Sequence, residues 1–281
     1  MSLSKQNLTV IIVTLKSEHI IDQCIQSIDD DISIIVVENS SNINFKNYLE
    51  KKYRNVSCIL SSNNIGMGAG NNIGIENAKS DFVLILNPDV ILFKNTIDKL
   101  IKESSNLREF AIMSPISDNV NFPNYTIKEV KNIDYEKIFE VDSIDGFCML
   151  INKNKIKSIS KDAKTFDENF FMYLENDDLC KRVINKGYTI YSLKGLNLNH
   201  LGGKSSSDRK QFLKLQNWHW MWSKFYFEKK YGRLIFVYLK YLPILLIIAF
   251  KTIISRSNIK YKMRLEGLYH SMAGKKSDYR G

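Results

Sequence analysis

Residues 82–89 read Phe82-Val-Leu-Ile-Leu-Asn-Pro-Asp89. Five consecutive apolar residues fit a strand covered on both faces, and Asn87-Pro88 ends it, because proline cannot extend a hydrogen-bonded ladder. Asp89 is thereby aimed out of the edge of a sheet. Toward the N-terminus buried runs recur at Ile32–Val37 (ISIIVV) and Leu8–Thr14 (LTVIIVT), and Val56–Leu60 (VSCIL) reads as a further strand. Between these runs, Ile20, Ile21, Cys24, Ile25 and Ile28 repeat at helical spacing, and Phe45–Tyr53 reads as a helix. The glycine-rich Gly66–Gly74 runs into a further helix ending near Lys79. Buried strands alternating with helices predict an α/β architecture with a mainly parallel, helix-covered sheet.

Beyond residue 89 the pattern loosens. Residues 115–141 hold two prolines and several asparagines and read as a surface excursion. An apolar run follows at Ser143–Ile151, then a helix at Asn176–Lys186 that Gly187 is placed to end. Tyr188–Leu193 and Leu196–Leu198 are strand-like. After Gly202-Gly203 the character changes: Asp208–Lys230 is an aromatic-rich basic helix with Trp218, Trp220 and Trp222. Leu234–Phe250 is strongly apolar but holds Lys240 and Pro243, and Arg256–Lys276 is basic and amphipathic. The expected division is residues 1–206 as one domain and 207–281 as a helical extension.

With 44% hydrophobic and 25% charged residues the chain is globular rather than disordered. Cys24, Cys58, Cys148 and Cys180 form no C-x-x-C pair, so reduced, buried thiols are expected and a zinc site is not. Such thiols are those expected of a cytoplasmic protein, and the N-terminus shows no apolar region or cleavage site of a signal peptide. The net charge of +10 is uneven: residues 204–281 carry 17 Lys+Arg against 4 Asp+Glu, whereas residues 1–203 carry 23 against 26. A basic tail on a near-neutral body expects an anionic partner, nucleic acid or a membrane surface.

Five groups could carry chemistry. Glu38, in VVENSS, stands at a strand end, where open α/β sheets bind ligands; it could accept from a nucleobase N–H or cap a turn. The run Asn64–Gly74 (NIGMGAGNNIG) lets the backbone approach a ligand or another strand, but its glycine spacing fails the dinucleotide fingerprint. Asp89, in Asn87-Pro88-Asp89, could hold Mg²⁺ or Mn²⁺, the hard cations that neutralise a diphosphate, or be an ordinary turn acid. Glu175, Asp177 and Asp178, in FFMYLENDDLCKR, stand at the mouth of a helix, as capping acids or as a general base desolvated by Phe170, Phe171 and Tyr173. His200, in NHLGGKSS, is a candidate metal ligand or a structural histidine.

The order of the blocks VIIVTLKSE, VVENSS, NIGMGAGNNIG, LILNPD, IDGFCML, FDENFFMYLENDDLCKR and NHLGGKSS resembles the family-2 glycosyltransferases, in particular the rhamnosyltransferase-like branch that builds cell-surface polysaccharides. The resemblance covers about residues 10–206. It implies a GT-A nucleotide-diphospho-sugar transferase fold, with Thr14 and Glu38 lining the base pocket and Asn64, Gly66 and Asn72 shaping the sugar-nucleotide site. Asp89 would match the metal-binding aspartate of the DXD-type motif, with Asn87 where its first acid often stands. Asp145 and Gly146 would lie at the donor-sugar and acceptor side, and His200 would match the late metal-binding histidine. Glu175–Asp178 would match the E-D-x-D catalytic block. Two departures stand out. Glu38 replaces the usual aspartate, and Asn176 occupies the position of the usual base, which an amide cannot serve. Glu175 is the favoured base, with Asp177 and Asp178 as alternatives.

These residues together expect a transferase that moves a sugar from a nucleoside diphosphate to an acceptor hydroxyl with inversion, using a divalent metal. The acceptor would be a saccharide or lipid-linked saccharide. The basic, apolar tail would lie on the anionic inner face of the cytoplasmic membrane, or else pack on the body or on a second copy of the chain. Two other classes compete. A nucleic-acid binder is disfavoured by acidic motifs lining the expected cleft. An inactive sugar-nucleotide scaffold is favoured only by Asn176.

Overall fold

The computed structural model of the chain describes residues 2–105, 107, 110–117, 124–127, 138–159, 164–200, 209–255 and 258–280. Within NHLGGKSS only Asn199 and His200 are described; Leu201 onward, with the Gly202-Gly203 pair, and the expected boundary at residue 206 lie outside the described residues, as does most of the expected surface excursion.

The chain forms two compact units. The first comprises Met1–Ile65, Ala69–Phe166 and Asn176–Ser207. Its strands are β1 (Leu8–Thr14), β2 (Ser33–Glu38), β3 (Val56–Leu60), β4 (Phe82–Leu86), β5 (Val90–Leu92), β6 (Phe110–Ser117), β7 (Tyr125–Thr126), β8 (Ile138–Glu140), β9 (Ser143–Ile144), β10 (Cys148–Asn152) and β11 (Thr189–His200). The helices are α1 (Ile21–Gln26), α2 (Ile43–Lys52), α3 (Met67–Asn77), α4 (Thr96–Ser104), α5 (Lys153–Lys157) and α6 (Glu175–Asn185). The main sheet runs β3-β2-β1-β4-β10-β6-β11-β5, with β8 paired to β11, while β7 and β9 form a separate two-stranded sheet.

The β3-β2-β1-β4 half is parallel, as the buried apolar runs predict, and β1 is buried along its whole length. The other half is mixed, because β10 enters antiparallel to both β4 and β6. The two strand-like pieces expected at 188–198 are one strand, β11, with register irregularities after Thr189 and between Leu193 and Asn197. β6 carries Pro115 within it, so the strand extends into the segment that composition assigns to a loop. Val10, Ile12, Val36, Leu84 and Leu150 anchor the core of this unit.

The glycines of the 66–74 run divide their tasks. A Cβ on Gly74 would overlap Ile11 Cγ2, and one on Gly70 would stand 2.8 Å from Val13 Cγ1. Their absence lets α3 lie directly on β1, the strand approach rather than the ligand approach. All four cysteines are free and buried, and burial pushes their thiols up, those of Cys58 and Cys180 to about 12.

The second unit comprises Gly66–Gly68, Asp167–Glu175 and Asp208–Gly281. Its helices are α7 (Arg209–Tyr231), α8 (Leu234–Ile254) and α9 (Ile259–Met272). Met221, Phe225, Val237, Tyr241, Ile248 and Leu268 form its core. Gly267 lets α9 meet α7 closely, since a Cβ there would overlap the Trp218 carbonyl oxygen. α8 continues unbroken through Pro243, and the Lys240 ammonium lies 2.8 Å from each Glu228 carboxylate oxygen.

Candidate active site

In the first unit strand register brings Asp89 to His200. β4 ends at Leu86, and the Val90 N–H donates to the Asn87 carbonyl (3.1 Å), closing a turn that holds Asp89. β5 leaves this turn and pairs antiparallel with the end of β11, Val90 opposite His200. Asp89 Oδ1 and His200 Nε2 are thereby brought to 3.6 Å. Asp89 is 2% exposed, and its Oδ1 has no hydrogen-bond partner among the described residues. Such an orphan costs free energy unless a ligand completes it. Phe147 stacks on the imidazole (centroids 4.2 Å apart, planes 24° apart), and its carbonyl accepts from the Asn87 N–H (2.8 Å).

The residues present fit a divalent cation. Donors bound to one ion at ~2.0–2.2 Å stand about 3–4 Å apart, and the Asp89–His200 gap falls within that span. No group of three or more His, Cys, Asp or Glu side chains suited to a metal occurs among the described residues. A cation here would need further donors from its substrate.

Asp145 lies close enough to Asp177 and His200 to feel the charge of each. Asp145 follows β9, and its N–H donates to the Asn124 carbonyl (2.8 Å). It is exposed, yet enough protein surrounds its carboxyl to desolvate it. That desolvation pushes its carboxyl up, the charge of Asp177 pushes it further, and His200 opposes both. Asp177, half-buried on α6, is pushed up by burial, with a hydrogen bond from Ser143 opposing. Both carboxylates therefore hold a proton more readily than a solvated acid.

The remaining predicted residues have local partners. Asn176 Nδ2 donates to the Ile144 carbonyl (2.8 Å), and a Cβ on Gly146 would rest 3.5 Å from Asn176 Cβ, so Gly146 and α6 meet here. Asp178 is fully buried, and the Arg182 Nε donates to its Oδ2 (2.8 Å); Arg182 also donates to the Thr165 carbonyl (2.5 Å). Glu38 is fully buried: Ser40 N–H and Oγ–H donate to its Oε1 (2.9 and 2.5 Å) and Asn42 N–H to its Oε2 (2.6 Å). The glutamate thus shapes the β2–α2 turn. At the same sheet edge, opposite Glu38 in the β1–β2 register, Thr14 Oγ1 is buried without a partner among the described residues. Asn64 Oδ1 receives Asn39 Nδ2 at 3.5 Å. Asn72 clamps a single backbone unit, accepting from the Phe166 N–H and donating to its carbonyl (both 2.9 Å).

Gly66 and Glu175 belong to the second unit. Gly66 has φ +91°, and a Cβ on it would overlap the Phe171 carbonyl oxygen, which also accepts from the Met67 N–H (3.1 Å). Phe170 packs edge-on against Tyr226, and Phe171 lies on His219. The aromatic lead-in to Glu175 thus packs on α7. Tyr173 and Leu174 take left-handed φ values of +71° and +67°, a backbone that costs on the order of 1–3 kcal/mol per residue. Sequence reasoning missed Phe147, Arg182 and the hold of α7 on this segment; only the Asp178–Arg182 spacing of i, i+4 was legible beforehand.

This arrangement, acids and a histidine at one edge of a half-parallel sheet, belongs to a known class. The glycosyl transferase family 2 profile matches residues 9–180, and the chain is a member of that family. A low-salt glycan biosynthesis hexosyltransferase of Haloferax volcanii is 27% identical over 204 residues, 66% of this chain and 64% of its own length. Rhamnosyltransferase WbbL of Escherichia coli is 25% identical over 244 residues, 75% of this chain and 88% of its own. The chain thus spans less than two thirds of the first of these relatives. The mannosyltransferase PcManGT of Pyrobaculum calidifontis, solved with GDP-Man and Mn²⁺, superposes with a TM-score of 0.60 at 10% identity, covering 96% of this chain and 88% of its own. That likeness gives the GT-A fold.

Proposed function

We propose that the protein transfers rhamnose or a related hexose from a nucleoside diphosphate to a hydroxyl of a saccharide, lipid-linked in the cell, with inversion at the anomeric carbon. The observation that carries this reading is the buried, unpartnered Asp89 Oδ1 beside His200 in a family-2 fold. Asp89 and His200 would hold Mg²⁺ or Mn²⁺, with the donor's diphosphate supplying further oxygens. When bound, the ion offsets the charge that develops on the leaving diphosphate. Phe147 fixes the His200 ring for that task. Thr14 Oγ1, with Glu38 stiffening the turn beside it, offers the nucleobase a hydrogen-bonding partner. Asn64, Gly66, Asn72 and Asn87 keep the backbone around the sugar-nucleotide in shape. Asp145 faces the sugar and acceptor.

We assign proton removal from the acceptor hydroxyl to Asp177. Asn176 cannot take a proton and Asp178 is committed to Arg182, whereas burial makes Asp177 a better proton acceptor than a solvated acid. Asp177→Asn should lower turnover ~10²–10⁴-fold with donor binding retained. If Glu175→Gln does so instead, the base is Glu175. The reading as a whole is tested by a thermal-shift panel of UDP-, GDP- and dTDP-sugars with and without Mn²⁺. A ligand bound by the native state raises its melting temperature. No shift with any of them would overturn the transferase reading and leave an inactive scaffold.

We also propose peripheral attachment to the inner face of the cytoplasmic membrane. α8 is long and apolar enough to cross a membrane by length and composition. Its Val237, Tyr241 and Ile248 are packed in the second unit, however, while Ile235, Leu239, Leu242, Leu246, Phe250 and Ile253 are exposed. A helix bound to protein along one side and apolar on the other suits an in-plane position in the interface, with the surplus Lys and Arg on anionic headgroups. The full-length protein should float with phosphatidylglycerol vesicles at low salt and less at high salt. A soluble dimer at low salt, unbound to vesicles, would assign the exposed face to a second copy.

A further inference from the structure

The second unit gathers a short internal segment onto one face of α7. His219, Ser223, Tyr226 and Lys230 lie at i, i+4, i+7 and i+11, so they line one side of the helix. Each touches the segment 167–174. Lys230 Nζ and the Tyr226 hydroxyl both reach Asp167 Oδ2 (2.7 and 3.1 Å). The fully buried Ser223 hydroxyl donates to the Met172 carbonyl (2.8 Å). His219 packs against Phe171, and the Arg280 guanidinium lies 3.9 Å from the centroid of the same ring. Beside this row Trp220 meets Tyr173 edge-on. Three of these contacts are hydrogen bonds or ion pairs from a helix more than 40 residues away in sequence. A mere covering helix needs none of them. They converge on the stretch that ends in the two left-handed residues Tyr173 and Leu174, directly before Glu175 and α6.

We propose that this face of α7 is a positioning surface for the transfer reaction: it holds residues 167–174 in the strained shape from which Glu175, the acid that follows them in the same unit, is presented. The proposal rests on the transferase reading above. It makes α7 part of the catalytic apparatus, and it predicts that cutting the chain near residue 206 removes activity as well as the tail.

The test uses the full chain and three variants: Ser223→Ala, Tyr226→Phe with Lys230→Met, and Lys230→Arg as the conservative control. Hydrogen exchange is followed on peptides covering 164–175 and on β1 to β4. Turnover is read as nucleoside diphosphate released from whichever sugar nucleotide shifts the wild-type melt with Mn²⁺. The first two variants should raise exchange in 167–174 about tenfold while β1 to β4 stay protected. Their kcat should fall about 10–100-fold with the nucleotide-induced melting shift retained, the split expected when positioning rather than binding is lost. Lys230→Arg should restore both readouts. Unchanged exchange in 167–174 would overturn the proposal, and so would a freed segment with unchanged kcat. If the wild type releases no nucleoside diphosphate, the transferase reading fails separately, and the exchange data alone decide whether α7 holds the segment.

Discussion

Acid should loosen the C-terminal strap at His219. This side chain is fully buried on α7, with Nδ1 2.9 Å from the Ser277 hydroxyl and Nε2 2.8 Å from the Tyr279 carbonyl. A carbonyl only accepts, so Nε2 carries the proton and Nδ1 accepts from Ser277: the neutral ring is fully satisfied. Burial, aided by the Arg280 charge and opposed by the Tyr279 carbonyl, pushes its pKa down to about 4 from 6.5. The unfolded chain therefore binds the proton more tightly than the folded one. Stability from this group is complete above about pH 6.5 and is lost as pH falls through about 4. A gap of that size is on the order of 3 kcal/mol, which for a chain of this length corresponds to roughly 6–12 °C of melting temperature. His219→Gln keeps a donor for the Tyr279 carbonyl but cannot take up a proton. Melting curves of both proteins between about pH 7.5 and pH 4 isolate the effect, because other titrating groups are common to both. The wild type should lose stability more steeply toward acid than the variant. Parallel declines would refute the reasoning.

Other perturbations probe the first unit. Asp89→Ala should abolish the Mn²⁺-dependent part of any nucleotide-induced melting shift; a shift of undiminished size would remove Asp89 from the metal site. Arg182→Met leaves Asp178 buried without its cation and should destabilise by ~3–5 kcal/mol, read from urea unfolding. Gly74→Ala drives a methyl group into Ile11 and should cost about 1–3 kcal/mol, so a neutral result would mean α3 can retreat from β1. Asn176→Asp tests the departure at the catalytic block: a large gain in turnover would identify the natural protein as a weakened enzyme and move the base from Asp177.

Where the fold was legible, one physical signal dominated. The bounds of β1, β3 and β4 match the sequence reading residue for residue; β1 and β4 are buried on both faces and therefore almost wholly apolar, with turn residues framing them, while β3 keeps an exposed Ser57. β5 and α4 were not read: three residues are too few for a period, and α4 follows them at once. β6 was obscured by Pro115, and nothing local reveals that β10 runs antiparallel, since pairing direction belongs to the partner strand. The site divided similarly. Asp89 was legible from Asn87-Pro88 alone, but its approach to His200 depends on a β5–β11 register that joins residues over 100 apart. For Glu38 the sequence left a turn cap open beside a base-pocket acid, and Ser40 and Asn42 engage it as a turn acid, whereas the Arg182 partner of Asp178 was not read. Asn72 and Phe166 meet across 94 residues, beyond any local pattern.

The irregularity in β11 bears on how this chain can change length. Leu193 stands opposite Pro115 and Asn197 opposite Ile116, so three residues of β11 are taken up without any advance along β6. A strand alternates its side chains, and an uncompensated slip of one residue would turn His200 to the far side of the sheet, away from Asp89. The slack at 194–196 sits upstream of that hazard. Insertions or deletions there can be absorbed before the ladder to β5 begins, while a single added residue between Asn197 and His200 has nowhere to go. Length variation among descendants of this chain should therefore collect at 194–196 and stop abruptly at 197.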